Sequence, residues 1–290
     1  MKTIGIFANC RKPSAPKVLR QVTDMSRQHG LRLAVCDETA LLVPGVERFA
    51  PEVFVNKIDI LMAFGGDGTI LNAVRMLNGR EIPVLGVNLG SLGFLTSVSQ
   101  EEVERAFTCI ANGQFSISRR SLVECSVKRS SQEICRYRAL NDIVIDRGAS
   151  LRIVTLNLAI EDEEVSSFVC DGLIVSTPTG STGHSLSAGG PILHPESAVF
   201  VISLICPHTL STRPLVIPDN KLVVVEVAEN SGDLMLSIDG QIGEPLKTAD
   251  RIEIKRSAAG VHLVNLPGYS YFSVLRHKLH WRGSTTSPVE

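Results

Sequence analysis

The residues best placed to do chemistry lie in Gly65-Gly66-Asp67-Gly68-Thr69, after the apolar run Ile58–Phe64 and before a helical pattern. Glycines between a strand and a helix let backbone N–H groups approach a phosphate, and a helix N-terminus favours negative charge. A carboxylate at that position repels a phosphate unless it takes a proton or holds a metal. The conflict posed by Asp67 points to phosphoryl transfer, with the amides of residues 66–69, Gly66, Gly68 and Thr69 among them, facing the phosphates. No G-x-x-x-x-G-K-[ST] run occurs, so the scheme is not of the Walker type. The plainer alternative is a strand-to-helix turn with a capping Asp or Thr.

Three further segments have unusual composition. Leu85–Leu95 carries Gly86, Gly90 and Gly93 with Asn88 and Ser91, which leaves room for a ligand beside the backbone. Ser167–Pro195 contains DGLIVSTPTGSTGHSLSAGGPILHP, and its hydroxyls and glycines suit the phosphate, ribose or base of a nucleotide. Leu140-Asn141-Asp142-Ile143-Val144 sets two polar residues in an apolar strand, where buried polar groups must be paired. The two oxygens of Asp142 can accept from two ribose hydroxyls, or the pair can face solvent on an edge strand.

The elements that position these segments fall into two halves. Residues 1 to about 113 alternate strands (Lys2–Phe7, Leu31–Cys36, Ile58–Phe64, Ile82–Val87) with helices (Pro16–His29, Thr69–Leu77, Glu101–Ile110). That alternation predicts a Rossmann-like parallel sheet covered by helices. From about 114 onward, short β-rich runs follow: Leu122–Val127, Ala139–Ile145, Leu151–Ile160, Leu173–Ser176, Val199–Ile205, Leu222–Ala228, Leu234–Ile238, Arg251–Ile254 and Val261–Leu266. They predict an all-β, sandwich-like domain. Tyr269–Trp281 returns to helical spacing, with Phe272, Leu275 and Leu279 on one face, and Arg282–Glu290 is polar enough to fray. The expected division is an α/β nucleotide-binding domain over 1–115 and a β-rich domain over 116–267, with 268–290 joined to the first.

Composition narrows the function classes. With 44% hydrophobic and 20% charged residues the 290-residue chain can bury a real core. A net charge of −1 supplies no bulk attraction for nucleic acid or an anionic membrane. The apolar start, Ile4–Phe7, is too short for a signal peptide, and no run reaches transmembrane length. Seven scattered cysteines (Cys10, Cys36, Cys109, Cys125, Cys135, Cys170, Cys206) form no C-x-x-C, so buried free thiols in a reducing cytoplasm are expected, with no protein metal site.

The four segments, in this order, resemble the NAD kinase family. The likeness extends to Ile4–Asn9, Cys206–Ser211 with Arg213-Pro214-Leu215, Ser237–Gln241 and Val274–Trp281, and it looks like the bacterial branch. It implies ATP-dependent phosphorylation of the 2′-hydroxyl of the adenosine ribose of NAD, giving NADP, with Mg²⁺ or Mn²⁺ on the ATP. It also implies an N-terminal α/β domain, a C-terminal β domain, a cleft between them, a final helix folded back on the first domain, and a cytoplasmic homodimer or homotetramer. By the resemblance, Asp67 is the acid that accepts the proton, and Gly68 is the adjacent backbone site. Asn141 and Asp142 bind adenosine, and Asp171 contacts the dinucleotide. Thr182, Gly183, His184, Ser185, Leu186 and Ser187 surround the nucleotide, and Gln241 and Arg152 add contacts. Two positions depart from the family: Asp142 stands where Glu is common, and His184 where Tyr is common. The donor range (ATP or inorganic polyphosphate) and the choice of NAD or NADH stay open. Rival readings are a lipid or sugar kinase sharing the glycine–Asp turn, and a non-catalytic dinucleotide sensor. A serine hydrolase built from Ser185, Asp239 and His262 is a further rival, although a polar loop precedes its serine where a strand should end.

Overall fold

In the computed structural model, residues 2–148, 152–209, 211–228 and 234–281 are described. The chain divides into two compact units, Met1–Ser118 with Val261–Glu290, and Arg119–Gly260.

The first unit is built by strand–helix alternation. Its elements are β1 (Thr3–Ala8), α1 (Ala15–Gln28), β2 (Arg32–Cys36), β3 (Glu47–Phe49), α2 (Pro51–Phe54), β4 (Ile60–Gly65), α3 (Asp67–Leu77), β5 (Val84–Asn88), β6 (Val98–Ser99) and α4 (Val103–Asn112). The strands run parallel in the order β5-β4-β1-β2-β3. β4 is buried along its whole length, as the continuous apolar run Ile60–Phe64 requires of a strand covered on both faces. Helix α1 turns Val18, Leu19 and Val22 onto the core, and α4 adds Phe107 and Ile110. Left-handed residues at Asn78 and Gly113 end α3 and α4 where the sequence places them.

The second unit is antiparallel. Its strands are β7 (Ser116–Arg129), β8 (Gln132–Ala139), β9 (Asp142–Asp146), β10 (Val154–Ile160), β11 (Glu163–Cys170) and β12 (Gly172–Ser176). After the one-turn helix α5 (His184–Ser187) come β13 (Val199–Ile205), β14 (Leu215–Pro218), β15 (Val223–Val227), β16 (Leu234–Ile238), β17 (Ile242–Leu246) and β18 (Arg251–Asn265). One sheet has the order β14-β13-β12-β9-β16-β17, and β11-β10-β15-β18 run side by side in another. Inward residues from both, such as Ile143, Leu173, Phe200, Leu156 and Val225, share one core. The last element among the described residues is α6 (Tyr271–Lys278), which belongs to the first unit.

Several sequence expectations need correction. Ala139–Ile145 is not one strand: Leu140 and Asn141 interrupt it between β8 and β9. Arg251–Ile254 and Val261–Leu266 are parts of the single strand β18, because Ser257 and Gly260 continue the extended backbone. Strands β3, β6, β8, β11, β14 and β17 escape the sequence reading. Each has one strand neighbour only, so it lacks the doubly buried pattern that reveals a strand. On α6 the buried residues are Val274 and Leu275, while Phe272 is 59% exposed, so the expected Phe272–Leu275–Leu279 face is not the packed one. Of the segments read from the sequence, Leu151 and Arg282–Glu290 lie outside the described residues.

Phe107 is fully buried in the first unit's core. Phe107→Ala is expected to destabilise the protein by about 3–5 kcal/mol, the usual cost of an aromatic deletion that leaves a cavity. Urea unfolding followed by circular dichroism measures it.

Candidate active site

In the first unit, parallel pairing of β4 with β5 brings the loops that leave their C-terminal ends together, with Gly65 paired to Asn88. The Leu89 N–H donates to the Gly65 carbonyl at 3.0 Å and ties the two loops. Asp67 is the first residue of α3 and is half-buried. Its Oδ2 accepts from the Phe94 N–H at 2.8 Å, and its Oδ1 accepts from the Leu95 N–H at 3.0 Å. Each carboxylate oxygen has two acceptor sites, so each keeps one for a ligand proton. The contact requires a glycine beside it, because a Cβ on Gly93 would stand 1.9 Å from Oδ1. The Gly93 N–H donates to Thr96 Oγ1 at 3.0 Å, and Asn88 bonds to both backbone groups of Gly90, which shapes the rest of the loop.

The amides of the glycine–Asp turn are not all available. The Thr69 N–H returns to the Gly66 carbonyl at 2.9 Å, and the Gly66 N–H lies 3.4 Å from Thr69 Oγ1. The expectation that residues 66–69 all face phosphate is corrected to that extent: helix initiation uses the Thr69 amide, and Thr69 itself is buried. Gly68 is exposed at the helix N-terminus.

In the second unit the interruption at Leu140–Asn141 is the organising feature. Asp239 accepts from the N–H groups of Leu140 (3.0 Å), Asn141 (2.7 Å) and Asp142 (3.2 Å), and its own N–H donates to the Asp142 carbonyl. Burial pushes the Asp239 carboxyl up to about 6, against the pull of those three amides and with a push from the Asp142 charge. From the other side, Thr177 donates its hydroxyl to the Leu140 carbonyl at 2.6 Å and its N–H to the Asn141 carbonyl at 2.9 Å. Gly180 packs so tightly that a Cβ would stand 2.1 Å from the Asn141 oxygen. Asn141 is half-buried and the Asp142 side chain is 1% exposed. His184 Nδ1 lies 3.3 Å from both Asp142 oxygens, and this hydrogen bond raises the imidazole pKa although burial opposes it.

Not every expected residue joins this cluster. Gly183 and His184 do, and Thr182 closes a short 3₁₀ turn just before them with its hydroxyl on the Thr179 carbonyl at 3.3 Å. The Ser185 side chain is fully buried 3.3 Å from Ser203 Oγ, Leu186 is half-buried, and Ser187 is exposed. Buried Ser185 cannot serve as an esterase nucleophile, and Asp239 already holds three amides, so the hydrolase reading falls. Gln241 is exposed in the β16–β17 turn, beside Asp239. Asp171 is elsewhere: it pairs with Arg147 at 3.1 Å where Gly172 faces Asp146, whereas Asp142 faces Ser176 at the other end of the same strand pair. Arg152 is exposed ahead of β10. Sequence reasoning assigned Asp239 no ligand-site role, and its signal was the Asp-Gly pair, with left-handed backbone at both residues, which marks a tight turn.

Among the described residues no three His, Cys, Asp or Glu side chains converge to hold a metal, and no helix is long and apolar enough to cross a membrane.

Residues 4–115 match the ATP-NAD kinase N-terminal domain, and residues 140–266 match the ATP-NAD kinase C-terminal domain. The chain is 40% identical to an NAD kinase of Geobacter sulfurreducens over 97% of its own length and 99% of that protein. It is 39% identical to one of Caldanaerobacter subterraneus subsp. tengcongensis over 96% and 99%. A yeast NADH kinase crystallised with NADH superposes with a TM-score of 0.90 at 26% identity, over 100% of this chain and 90% of that one. An NAD kinase of Archaeoglobus fulgidus in complex with ATP, at 24% identity and a TM-score of 0.75, covers 97% of this chain and 100% of its own and shares the fold. The chain belongs to the NAD kinase family, and its reaction is the ATP-dependent phosphorylation of NAD.

Gly93→Ala is expected to push Asp67 off the Phe94 and Leu95 amides. A displacement of that size should lower the turnover number for NADP formation roughly 10²-fold. Steady-state rates beside a thermal melt separate this loss from unfolding.

Proposed function

We propose that the γ-phosphoryl group of ATP is transferred to the 2′-hydroxyl of the adenosine ribose of NAD, with Asp67 as the general base. The observation that carries this reading is the carboxylate at the start of α3, held by the Phe94 and Leu95 amides with one acceptor site per oxygen still open. A ribose hydroxyl is a weak nucleophile at neutral pH. As its oxygen bonds to the γ-phosphorus, its proton passes to Asp67, the bond from that phosphorus to the β,γ-bridging oxygen breaks, and ADP leaves. General-base help of this kind contributes roughly 10²–10⁴-fold. A divalent cation carried by the ATP neutralises charge on the phosphates.

The remaining assignments follow from the same premise. The N-terminus of α3, with exposed Gly68, favours the negative charge of the phosphates. In the second unit Asn141 and Asp142 contact the adenosine side of NAD, with the Asp142 oxygens accepting ribose hydroxyls. The backbone of residues 182–184 and the turn at Gln241 border that contact, which supports their place in the nucleotide site. Asp171 lies at the far end of the β9–β12 pair from Asp142, so it would meet a different part of the dinucleotide.

The test is NADP formation from NAD, ATP and Mg²⁺ by the wild type and by Asp67→Asn. The variant should lose at least about 10²-fold in turnover while keeping NAD affinity, because the amide accepts no proton. Near-normal turnover in Asp67→Asn would remove Asp67 from the mechanism.

A further inference from the structure

Asp142 poses a conflict within the second unit. Its carboxylate is 1% exposed, yet as a ribose contact it must meet two hydroxyls. The imidazole of His184 covers it, with Nδ1 at 3.3 Å from each oxygen, and that imidazole is itself 59% exposed. The carboxylate is therefore buried only one side chain deep.

The backbone around Asp142 is fixed. Its N–H is held by Asp239, its carbonyl accepts from the Asp239 N–H, and Ser176 faces it across the sheet. The backbone of Gly183 runs beside the carboxylate, near enough that a Cβ there would lie 3.5 Å from Oδ2. His184 is different. It is the first residue of a one-turn helix whose neighbour Ser185 is anchored in the core, so rotation about its own χ angles moves the ring without moving the turn. The movable part of the pair is the imidazole.

We propose that His184 is an exchangeable lid and positioning residue for Asp142: ribose hydroxyls of the dinucleotide replace the imidazole N–H as donors to the carboxylate, and the released imidazole gives a proton to solvent. The proposal rests on the reading of Asp142 as a ribose contact. The charged groups facing the ring are Asp142 and Asp146 from β9 and Asp239 from the β16–β17 turn, all acids, and they favour the imidazolium while the lid is closed. Folding raises the His184 pKa, so the closed pair stabilises the free protein at low pH, and that contribution is lost as pH rises through the folded value. Dinucleotide binding runs the other way. It opens the pair, lowers the imidazole pKa and releases a proton, so affinity rises with pH across the same window.

Calorimetric titration of NAD into the full chain at several values between pH 6 and pH 8, in buffers of different ionisation enthalpy, tests this. Wild type should bind more tightly as pH rises, by at most about tenfold per pH unit for one released proton, with a heat that depends on the buffer. His184→Gln and His184→Phe should bind with an affinity nearly flat in pH and tighter than wild type at pH 6. Asp239, still present in both variants, sets whatever slope they keep. A wild-type slope that persists in both variants, or no proton release from the wild type, overturns the lid. Asp142→Asn separates the two levels of argument. Unchanged NAD affinity in that variant overturns the ribose contact itself. Weakened affinity with the wild-type slope intact in the His184 variants overturns only the lid. Thermal melts confirm that each variant is folded.

Discussion

The two hydrogen bonds from the Phe94 and Leu95 amides to Asp67 are the constraint on which the first unit's chemistry depends. An acid at a helix N-terminus has a favourable dipole but no defined direction. Two amides on its two oxygens supply that direction. They also dictate the neighbouring sequence, because a glycine must stand at position 93 for the loop to come so close. The loop can reach Asp67 only because β4 and β5 are adjacent and parallel, so that their exits lie at one edge of the sheet. Fold, loop composition and the orientation of one carboxylate are therefore a single requirement.

The second unit uses the same device with the roles turned. There a carboxylate, Asp239, gathers three successive backbone amides and holds open a break between two strands. Thr177 satisfies carbonyls of the same break from the opposite side. A polar interruption in a buried sheet is tolerated only when its backbone groups are paired. With the pairing complete, Asn141 sits in an irregular backbone and Asp142 begins the strand that follows it, both framed by apolar strands. The raised pKa of Asp239 reflects what this arrangement demands, a charge placed where burial disfavours it.

Much of this was legible in the residues, and what was hidden has physical reasons. Strand–helix alternation and the apolar run before Gly65 specify a buried parallel sheet, because such patterns have few other stable uses. The edge strands β8, β11, β14 and β17 were missed because one-sided pairing leaves their side chains mixed. Pro245 in β17 also argues against a strand unless the strand is an edge. In the site, Asp67 was legible from the conflict between an acid and a phosphate-binding turn. Asp239 was not assigned, since a carboxylate that serves only backbone amides has no partner in sequence. Nor could the hydroxyl-rich loop reveal which of its members face inward: Ser185 and Ser187 are two residues apart, yet one is fully buried and the other exposed.

Asp142 and His184, the two positions that the family resemblance sets apart, become intelligible together. A shorter acid at 142 and a histidine at 184 each look like a loss when taken singly, one of reach and the other of a large ring. In this chain they meet. A carboxylate drawn back by one methylene leaves space that an imidazole can cap, and an imidazole can donate to it where a phenol in the same place would point its hydroxyl further out. The pairing gives the covered carboxylate a hydrogen-bond partner in the absence of ligand. The hydrogen bond to Asp142 raises the imidazole pKa, and under the proposed exchange that bond is what couples dinucleotide binding to protons.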